Sequence, residues 1–323
     1  MARLQRIARR LVIIVAALAV LSTVLSFIYN AMTQGTVPLT AGRGHFVRTG
    51  DVRTHYETWG TSGSAVVLVH GFAESTFVWH VFGPRLAALG HRVYAIDVRG
   101  FGYTERRAPF TLAADTTQLA RFMAAMHLDA DHDSRPVLVG HSSGAAIIGN
   151  VARLHPKTVA GVVFVDGDGT PYGTGPRWGG TFVRDPWMRT VVRVVTRHPW
   201  VVRPFYRRLC GSTCPKWTAA EAAGWATPFR VKGAEDALEA VIHQGLIGLT
   251  PKQIEAIHVP AGVVRGDSDP QMGRRSAEIT GRRLHTSRVT TIRHAGHLVM
   301  LAQPDALAST VEADIRSFSA PSQ

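Results

Sequence analysis

Residues 136–148 read PVLVGHSSGAAII, and this stretch decides how the rest of the chain is interpreted. The short apolar run before Gly140 predicts a buried strand, and the small and apolar residues after Gly144 predict a helix. Between them lies a G-x-S-x-G motif centred on Ser142. A serine at a sharp strand-to-helix turn needs neighbours without side chains, because the backbone there is strained. The stretch therefore predicts a nucleophile, Ser142, at the N-terminus of a helix.

Three other segments offer the groups that such a nucleophile needs, and each follows a predicted strand. They are His70-Gly71-Phe72 after residues 65–69, Gly266-Asp267-Ser268-Asp269 after residues 262–265, and Ala295-Gly296-His297 after residues 288–292. The first supplies backbone N–H groups, the second acids and the third a base. Nucleophile, acid and base thus occur in the order Ser, Asp, His, which is typical of serine hydrolases built on a strand–turn–helix nucleophile.

With these segments and the DVRGFG sequence at residues 97–102, the chain resembles the α/β-hydrolase family from about residue 45 to residue 317. The resemblance implies that Ser142 is the nucleophile, His297 the general base and Asp269 the acid. It also implies an oxyanion hole formed by the backbone N–H groups of Phe72 and Ser143. Residues 168–257 would form the helical cap, or lid, that this family carries over its active site.

The acid has competitors within the sequence. Asp267 lies two residues before Asp269, and Asp166 and Asp168 follow the sixth predicted strand, where some family members carry the acid.

The base has one competitor, His294, three residues before His297. By the same resemblance, Asp97 is expected to support turns near the site, and His70 to stabilise its loop rather than to transfer protons.

The strand and helix pattern predicts an α/β fold. Strand candidates fall at residues 45–48, 54–59, 65–69, 93–96, 136–139, 162–165, 262–265 and 288–292. Most are continuous apolar runs, as expected for parallel strands covered on both faces, and helical patterns separate them. We expect a mostly parallel eight-stranded sheet with helices on both faces, formed by residues 45–167 and 258–323 and interrupted by the helical cap.

The N-terminus predicts a membrane segment. Residues 1–10 carry four arginines, and residues 11–29 carry no charge and would span about 28 Å as a helix. Residues 1–10 should stay in the cytoplasm, with an uncleaved signal anchor at 11–29, a tether at 30–44 and an extracytoplasmic catalytic domain. A cleaved signal peptide followed by secretion, or a buried core helix, are the alternatives.

The net charge of +13 first suggests an anionic partner, but its distribution argues otherwise. No groove-entering helix, RNA-binding signature or zinc-ligand array accompanies it, so we expect no nucleic-acid partner. Residues 171–216 hold nine Lys or Arg residues against one acid, Asp185. Tryptophans are interleaved with these cations, at Trp178, Trp187, Trp200 and Trp217 among Arg177, Arg184, Arg189, Arg193, Arg197, Arg203, Arg207 and Arg208. The cap either rests on anionic lipid or is a solvated lid whose tryptophans line the substrate pocket.

Two cysteines, Cys210 and Cys214, are the only ones in the chain, and an oxidising compartment would favour a disulfide between them.

These features lead us to expect a cofactor-free, metal-free serine hydrolase that cleaves a lipophilic carboxylic ester. The resemblance implies that epoxide hydrolases and haloalkane dehalogenases of this family use an Asp nucleophile. The serine at position 142 therefore argues against these two activities. A C–C bond hydrolase, thioesterase, amidase or perhydrolase on the same scaffold, and a non-catalytic binding module, are the alternatives.

Overall fold

The computed structural model describes residues 2–35, 37–128, 135–171, 186–211, 213–245, 248–286 and 288–319. Its centre is one eight-stranded sheet. The strands are β1 (His45–Thr49), β2 (Val52–Trp59), β3 (Ala65–Val69), β4 (Arg92–Ile96), β5 (Val137–His141), β6 (Gly161–Val165), β7 (Ala261–Gly266) and β8 (Val289–Ile292).

The strands lie in the order β1-β2-β4-β3-β5-β6-β7-β8. The β1–β2 and β2–β4 pairs are antiparallel, and the remaining pairs are parallel. Every residue of β3, β5, β6 and β7 is buried, which explains why these strands are continuous apolar runs in the sequence. The predicted α/β fold with a mostly parallel sheet is confirmed, and β5 lies inside its parallel part.

Helices cover both faces of the sheet. In chain order the helices that follow the N-terminal helix α1 (Ala2–Met32) are α2 (Phe82–Ala88), α3 (Leu112–Ala125), α4 (Gly144–Leu154), α5 (Trp187–Arg197), α6 (Arg203–Cys210), α7 (Ala219–Ala226), α8 (Ala234–Gln244), α9 (Pro251–Glu255), α10 (Arg274–Arg283), α11 (Val299–Ala302) and α12 (Pro304–Phe318). Because successive strand side chains point to opposite faces, Val67 packs with α3 and α4, whereas Leu68 packs with α2, α11 and α12.

The insertion between β6 and β7 is helical in its described part, where it contains α5 to α9. Short 3-10 helices at Pro199–Val201 and Thr227–Arg230 connect some of these helices. Trp178, Arg177 and Arg184, which the sequence places in the cap, lie outside the described residues.

The helix α1 is longer than the membrane segment predicted from the sequence. It begins at Ala2 and ends at Met32, because no glycine or proline interrupts the chain between the arginines and the apolar run. Almost all of its large apolar side chains are exposed, so α1 is not a buried core helix. In the described part of the chain it is the one helix long and apolar enough to cross a membrane, by length and composition.

The segment predicted to be a tether instead contacts the cap. Asn30 donates a hydrogen bond to the Pro186 carbonyl (2.8 Å), and Arg197 donates one to the Thr33 carbonyl (3.2 Å). Farther along, Val37 forms a β-bridge with Val231. The polar residues after the apolar run therefore bond the end of α1 to the cap.

A disulfide joins Cys210, at the end of α6, to Cys214, with a Cα–Cα distance of 5.6 Å. Cys210 is fully buried. The bridge closes a short loop directly after α6.

Candidate active site

The nucleophile candidate lies at the turn between β5 and α4. Ser142 has φ of 50°, a left-handed conformation that is strained for a residue with a side chain. Its N–H donates a hydrogen bond to the Val165 carbonyl (2.9 Å), which fixes the turn against β6. A Cβ on Gly140 would lie 2.6 Å from the Gly144 carbonyl oxygen, and one on Gly144 would lie 2.5 Å from the Val69 carbonyl oxygen. Both glycines of the motif are therefore required by close backbone contacts.

A third glycine at this turn was not identified from the sequence. A Cβ on Gly167, just after β6, would lie 2.3 Å from the Ser142 carbonyl oxygen. The available signal was its position: Gly167 directly follows a predicted strand, next to the acid candidate Asp166.

The structure brings Ser142, His297 and Asp269 together. His297 Nε2 lies 3.1 Å from Ser142 Oγ, and His297 Nδ1 lies 3.1 and 3.0 Å from the two carboxylate oxygens of Asp269. The Asp269 carboxylate fixes Nδ1 as the protonated nitrogen, which leaves Nε2 to accept a hydrogen bond from the Ser142 hydroxyl. All three residues are buried, so water competes little with these bonds.

The other acid candidates bond elsewhere. Asp267 is exposed and accepts a hydrogen bond from the Ala295 N–H (3.2 Å), and Asp168 bonds to Thr170 and Ser276. The alternative base, His294, is exposed, and its backbone carbonyl accepts a bond from Thr213 (2.9 Å). Of the candidate residues, His297 contacts Ser142 and Asp269 contacts His297, while Asp166 reaches this chain only through Asp269.

Asp166 lies beside Asp269 in a different protonation state. Burial, together with the negative charge of Asp269, raises the pKa of Asp166 well above its ordinary value. Burial would also raise the pKa of Asp269, but the hydrogen bond and charge of His297 bring it below its ordinary value. A neutral Asp166 can donate a hydrogen bond to the Asp269 carboxylate, and it also accepts one from the Gly266 N–H (2.7 Å).

The loop after β3 carries the predicted oxyanion-hole residue Phe72. Neither the N–H of Phe72 nor that of Ser143 donates to another residue in the described ranges, so both are available to a ligand. His70 fixes this loop: Nε2 accepts from the Val98 N–H (2.9 Å), and Nδ1 donates to the Gly71 carbonyl (2.8 Å). Burial lowers the pKa of His70, which favours the neutral ring that these bonds require.

A buried charge pair beside the nucleophile was missed from the sequence. Glu74 Oε2 accepts from the Gly71 N–H (2.7 Å) and from His141 Nδ1 (2.9 Å), and His141 Nε2 donates to the His297 carbonyl (2.8 Å). With both ring nitrogens donating, His141 carries a positive charge. Burial opposes that charge, but Glu74 outweighs it and raises the pKa of His141. The pair thus links the loop before Phe72 to the residue of the base.

Asp97 lies at the end of β4 and makes structural contacts, as expected from the sequence. It accepts hydrogen bonds from His55 Nδ1 (2.7 Å), the Thr76 N–H (2.6 Å) and the Tyr103 N–H (2.7 Å). These bonds join β2 and β4 to two loops.

The cap is bonded directly to the loop of the base. The Gly296 N–H donates to the Cys210 carbonyl (3.0 Å), and the Leu298 N–H donates to the Leu209 carbonyl (3.3 Å). The last residues of α6 therefore hold the backbone on both sides of His297, and the disulfide at Cys210 closes the turn that follows.

A narrow and mostly apolar cavity is lined in part by Phe72 and Ser143, the residues of the predicted oxyanion hole. Its walls include Phe72, Phe101, Phe110, Ile147 and Val241, and its polar lining includes Arg99, Asp115 and Ser143.

Asp115 is a buried acid in this cavity. Its Oδ1 has no hydrogen-bond partner in the described structure. Burial raises the pKa of Asp115 to about 8, and nearby Arg99 offsets this only in part. This side chain is therefore mostly neutral at pH 7.

Within the described ranges, no group of three or more His, Cys, Asp or Glu side chains is arranged to hold a metal ion.

Comparison with known proteins gives consistent matches. A family model described as the alpha/beta hydrolase family matches residues 66–310. Bifunctional epoxide hydrolase 2 of Sus scrofa is 33% identical over 140 residues, which are 42% of this chain and 23% of that protein. Lipase LipV of Mycobacterium tuberculosis is 34% identical over 113 residues, 35% of this chain and 41% of that protein. This chain thus spans less than half the length of these relatives.

Among solved structures, a serine hydrolase involved in carbazole degradation, the CarC enzyme, superposes with a TM-score of 0.64. The two chains are 25% identical, and the match covers 84% of this chain and 98% of the other.

The raised pKa of Asp115 predicts a pH-dependent stability difference. The unfolded chain releases this proton near pH 4 and the folded chain near pH 8, so wild type should lose stability between these values. In Asp115→Asn the amide cannot ionise. Relative to this variant, wild type should lose up to about 1.4 kcal/mol per pH unit in that window. Urea unfolding at pH 5 and pH 8 measures the difference. Asp305→Asn, at an exposed carboxylate, is the control, and parallel pH profiles for Asp115→Asn and wild type would contradict the assignment.

Proposed function

The chain belongs to the alpha/beta hydrolase family, and from this premise we propose that it is a serine hydrolase that cleaves carboxylic esters. Ser142 is the nucleophile, His297 the general base and Asp269 the acid. The observation that carries the proposal is the hydrogen-bond chain from Asp269 through His297 to Ser142 Oγ, beside two unpartnered N–H groups.

In the proposed reaction His297 Nε2 removes the Ser142 hydroxyl proton as Oγ attacks the ester carbonyl carbon. The N–H groups of Phe72 and Ser143 stabilise the resulting oxyanion, each worth about 3 kcal/mol. His297 then donates the proton to the leaving alcohol, and an acyl-enzyme remains. A water molecule, deprotonated by His297, repeats the attack and releases the acid. Throughout, Asp269 orients the imidazole and stabilises its charged form.

The nucleophile separates this proposal from epoxide hydrolysis, the activity named for several of the relatives. The Sus scrofa relative is named an epoxide hydrolase. The family resemblance implies that such enzymes use an aspartate nucleophile, which forms an alkyl ester. Ser142 has no carboxylate with which to form that intermediate. A lipase and a serine hydrolase among the matches support acyl transfer instead. The apolar walls of the cavity beside the oxyanion donors favour a lipophilic substrate.

We also propose that α1 is an uncleaved anchor and that the catalytic domain is extracytoplasmic. Four arginines near the N-terminus favour a cytoplasmic location for that end. The Cys210–Cys214 disulfide favours an oxidising compartment for the rest of the chain. The contacts of Asn30 and Thr33 with the cap give the C-terminal end of α1 a structural role in the mature protein.

A fluorophosphonate probe tests the nucleophile. The full chain should be labelled and should hydrolyse short p-nitrophenyl esters, because the activated Ser142 hydroxyl attacks both reagents. Ser142→Ala should lose the label and reduce kcat by at least about 10⁴-fold. Ser309→Ala, at an exposed serine of α12, is the control and should behave as wild type. Labelling that persists in Ser142→Ala would refute the proposal. An ester panel run beside thioesters and amides identifies the preferred bond.

A pair of neighbouring variants tests the acid. Asp269→Asn should reduce kcat by about 10⁴-fold, because an amide no longer holds the correct His297 tautomer or stabilises its charged form. Asp267→Asn should stay near the wild-type rate, since Asp267 bonds to a backbone N–H and not to the imidazole. Steady-state kinetics on one ester measure both, and a larger loss in Asp267→Asn would reassign the acid.

A further inference from the structure

The helix α5 exposes three of its apolar side chains and buries two polar ones. Trp187, Val191 and Val194 follow one another at helical spacing and are 50%, 53% and 37% exposed. On the opposite face, Arg193 and Thr196 are buried. A helix of a water-soluble surface shows the reverse arrangement, with its apolar side inward.

The same exposed character continues into the next two elements. Trp200 and Val201, in the 3-10 helix Pro199–Val201, are 70% and 41% exposed, and Phe205 on α6 is 60% exposed. Together with the three residues of α5, these residues form what we call the apolar stripe. Outside α1 and the stripe, the described residues expose only two other large apolar side chains, Leu89 and Leu154. Such a concentration marks an interaction surface, whereas scattered exposed residues do not.

The stripe lies at the level where α1 would leave a membrane. The apolar run of α1 ends at Tyr29, and the next residues bond to α5. Thr190 donates to Asn30 Oδ1 (3.2 Å), and Arg193 donates to the Asn30 carbonyl and to Thr33 Oγ1 (3.3 Å). At about 1.5 Å per residue, Asn30 and Thr33 lie within roughly 6 Å of the end of the apolar run. If α1 spans a membrane, these bonds hold α5 at the height of the lipid headgroups.

Charge next to the stripe fits an anionic lipid surface. Arg203, Arg207 and Arg208 on α6 are exposed and form no ion pair with any described residue. By contrast, Arg193 points inward and is paired with Glu235 (2.5 Å). Exposed cations are attracted to an anionic leaflet, and tryptophan is favoured at the same depth.

We propose that the apolar stripe and these three arginines rest in the headgroup region of an anionic bilayer, so that the cap is a second membrane contact besides α1. This rests on the proposed anchoring role of α1. The cap is already bonded through Leu209 and Cys210 to the backbone around His297. A membrane-resting α6 would therefore bring the active-site side of the cap next to the leaflet, and the substrate class it fits is a lipophilic ester dissolved in that leaflet.

Quenching of tryptophan fluorescence by brominated lipid tests the contact directly. The full chain is reconstituted into vesicles of phosphatidylcholine and phosphatidylglycerol whose acyl chains are brominated near the headgroup. Wild type should be quenched, and Trp187→Phe/Trp200→Phe should lose most of the quenching. Trp225→Phe is the matched control, because Trp225 is half-buried in the cap and donates to Glu221 (3.0 Å). Quenching of the double variant equal to wild type would overturn the proposal.

The charge component has its own test. Wild type should be quenched more in vesicles with phosphatidylglycerol than in phosphatidylcholine alone. Arg203→Gln/Arg207→Gln/Arg208→Gln should remove that difference while leaving hydrolysis of a water-soluble p-nitrophenyl ester intact. An unchanged lipid dependence in the triple variant would refute the role of the arginines.

Separate readouts keep this proposal distinct from the ones on which it builds. Carbonate extraction of the vesicles reports whether α1 is inserted, and hydrolysis of the soluble ester reports the chemistry. If both are positive and the stripe is not quenched, the lipid contact alone is wrong. Cross-links between two copies through Trp200 or Phe205, with no quenching, would assign the stripe to a dimer and likewise overturn the proposal.

Discussion

The structure depends on the turn at Ser142, where backbone segments lie so close together that the neighbouring positions have no room for a Cβ atom. Ser142 adopts a left-handed conformation there, held by the hydrogen bond from its N–H to Val165. Gly140, Gly144 and Gly167 each lie where a Cβ would approach a carbonyl oxygen to 2.6 Å or less. The strain of the turn is maintained by the sheet around it, since β3, β5 and β6 are buried and paired in register. The position of the proposed nucleophile is thus a property of three strands and not of one loop.

Around this turn, buried acid and histidine side chains are arranged in pairs that have little contact with solvent. Asp269 bonds the ring of His297, and Glu74 bonds the ring of His141. An isolated carboxylate would be costly to bury in its ionised form, and the hydrogen bond that each of these two carboxylates receives from an imidazole stabilises that form. Asp166 is the exception, because burial and the adjacent charge of Asp269 raise its pKa well above the ordinary value and favour its neutral form. One neutral acid among ionised partners lets Asp269 receive a hydrogen bond without a second negative charge beside it.

The sequence predicted the elements whose signal is local. Continuous apolar runs identified the strands, and the motif around Ser142 identified the strand–turn–helix unit. Contacts between distant residues were not accessible in this way. Glu74 and His141 are 67 residues apart, so no local sequence pattern near either residue indicates the pair. Proximity in sequence also could not choose between Asp267 and Asp269, because the tight turn there directs one side chain to solvent and the other to the imidazole. The sequence also could not decide whether the cap tryptophans contact lipid or line the pocket, because residue spacing does not show which face of a helix is covered.

The two hydrogen bonds from the loop around His297 to the end of α6 limit how the cap can move. Displacing α6 from the core would break both bonds and release the backbone on either side of the imidazole. A cap that swung open as one body would therefore remove these two supports and leave His297 held by His141 and Asp269. A motion of the other cap segments that leaves α6 in place keeps both bonds, and with them the backbone beside the imidazole. Substrate access and the alignment of His297 thereby depend on different parts of the same insertion.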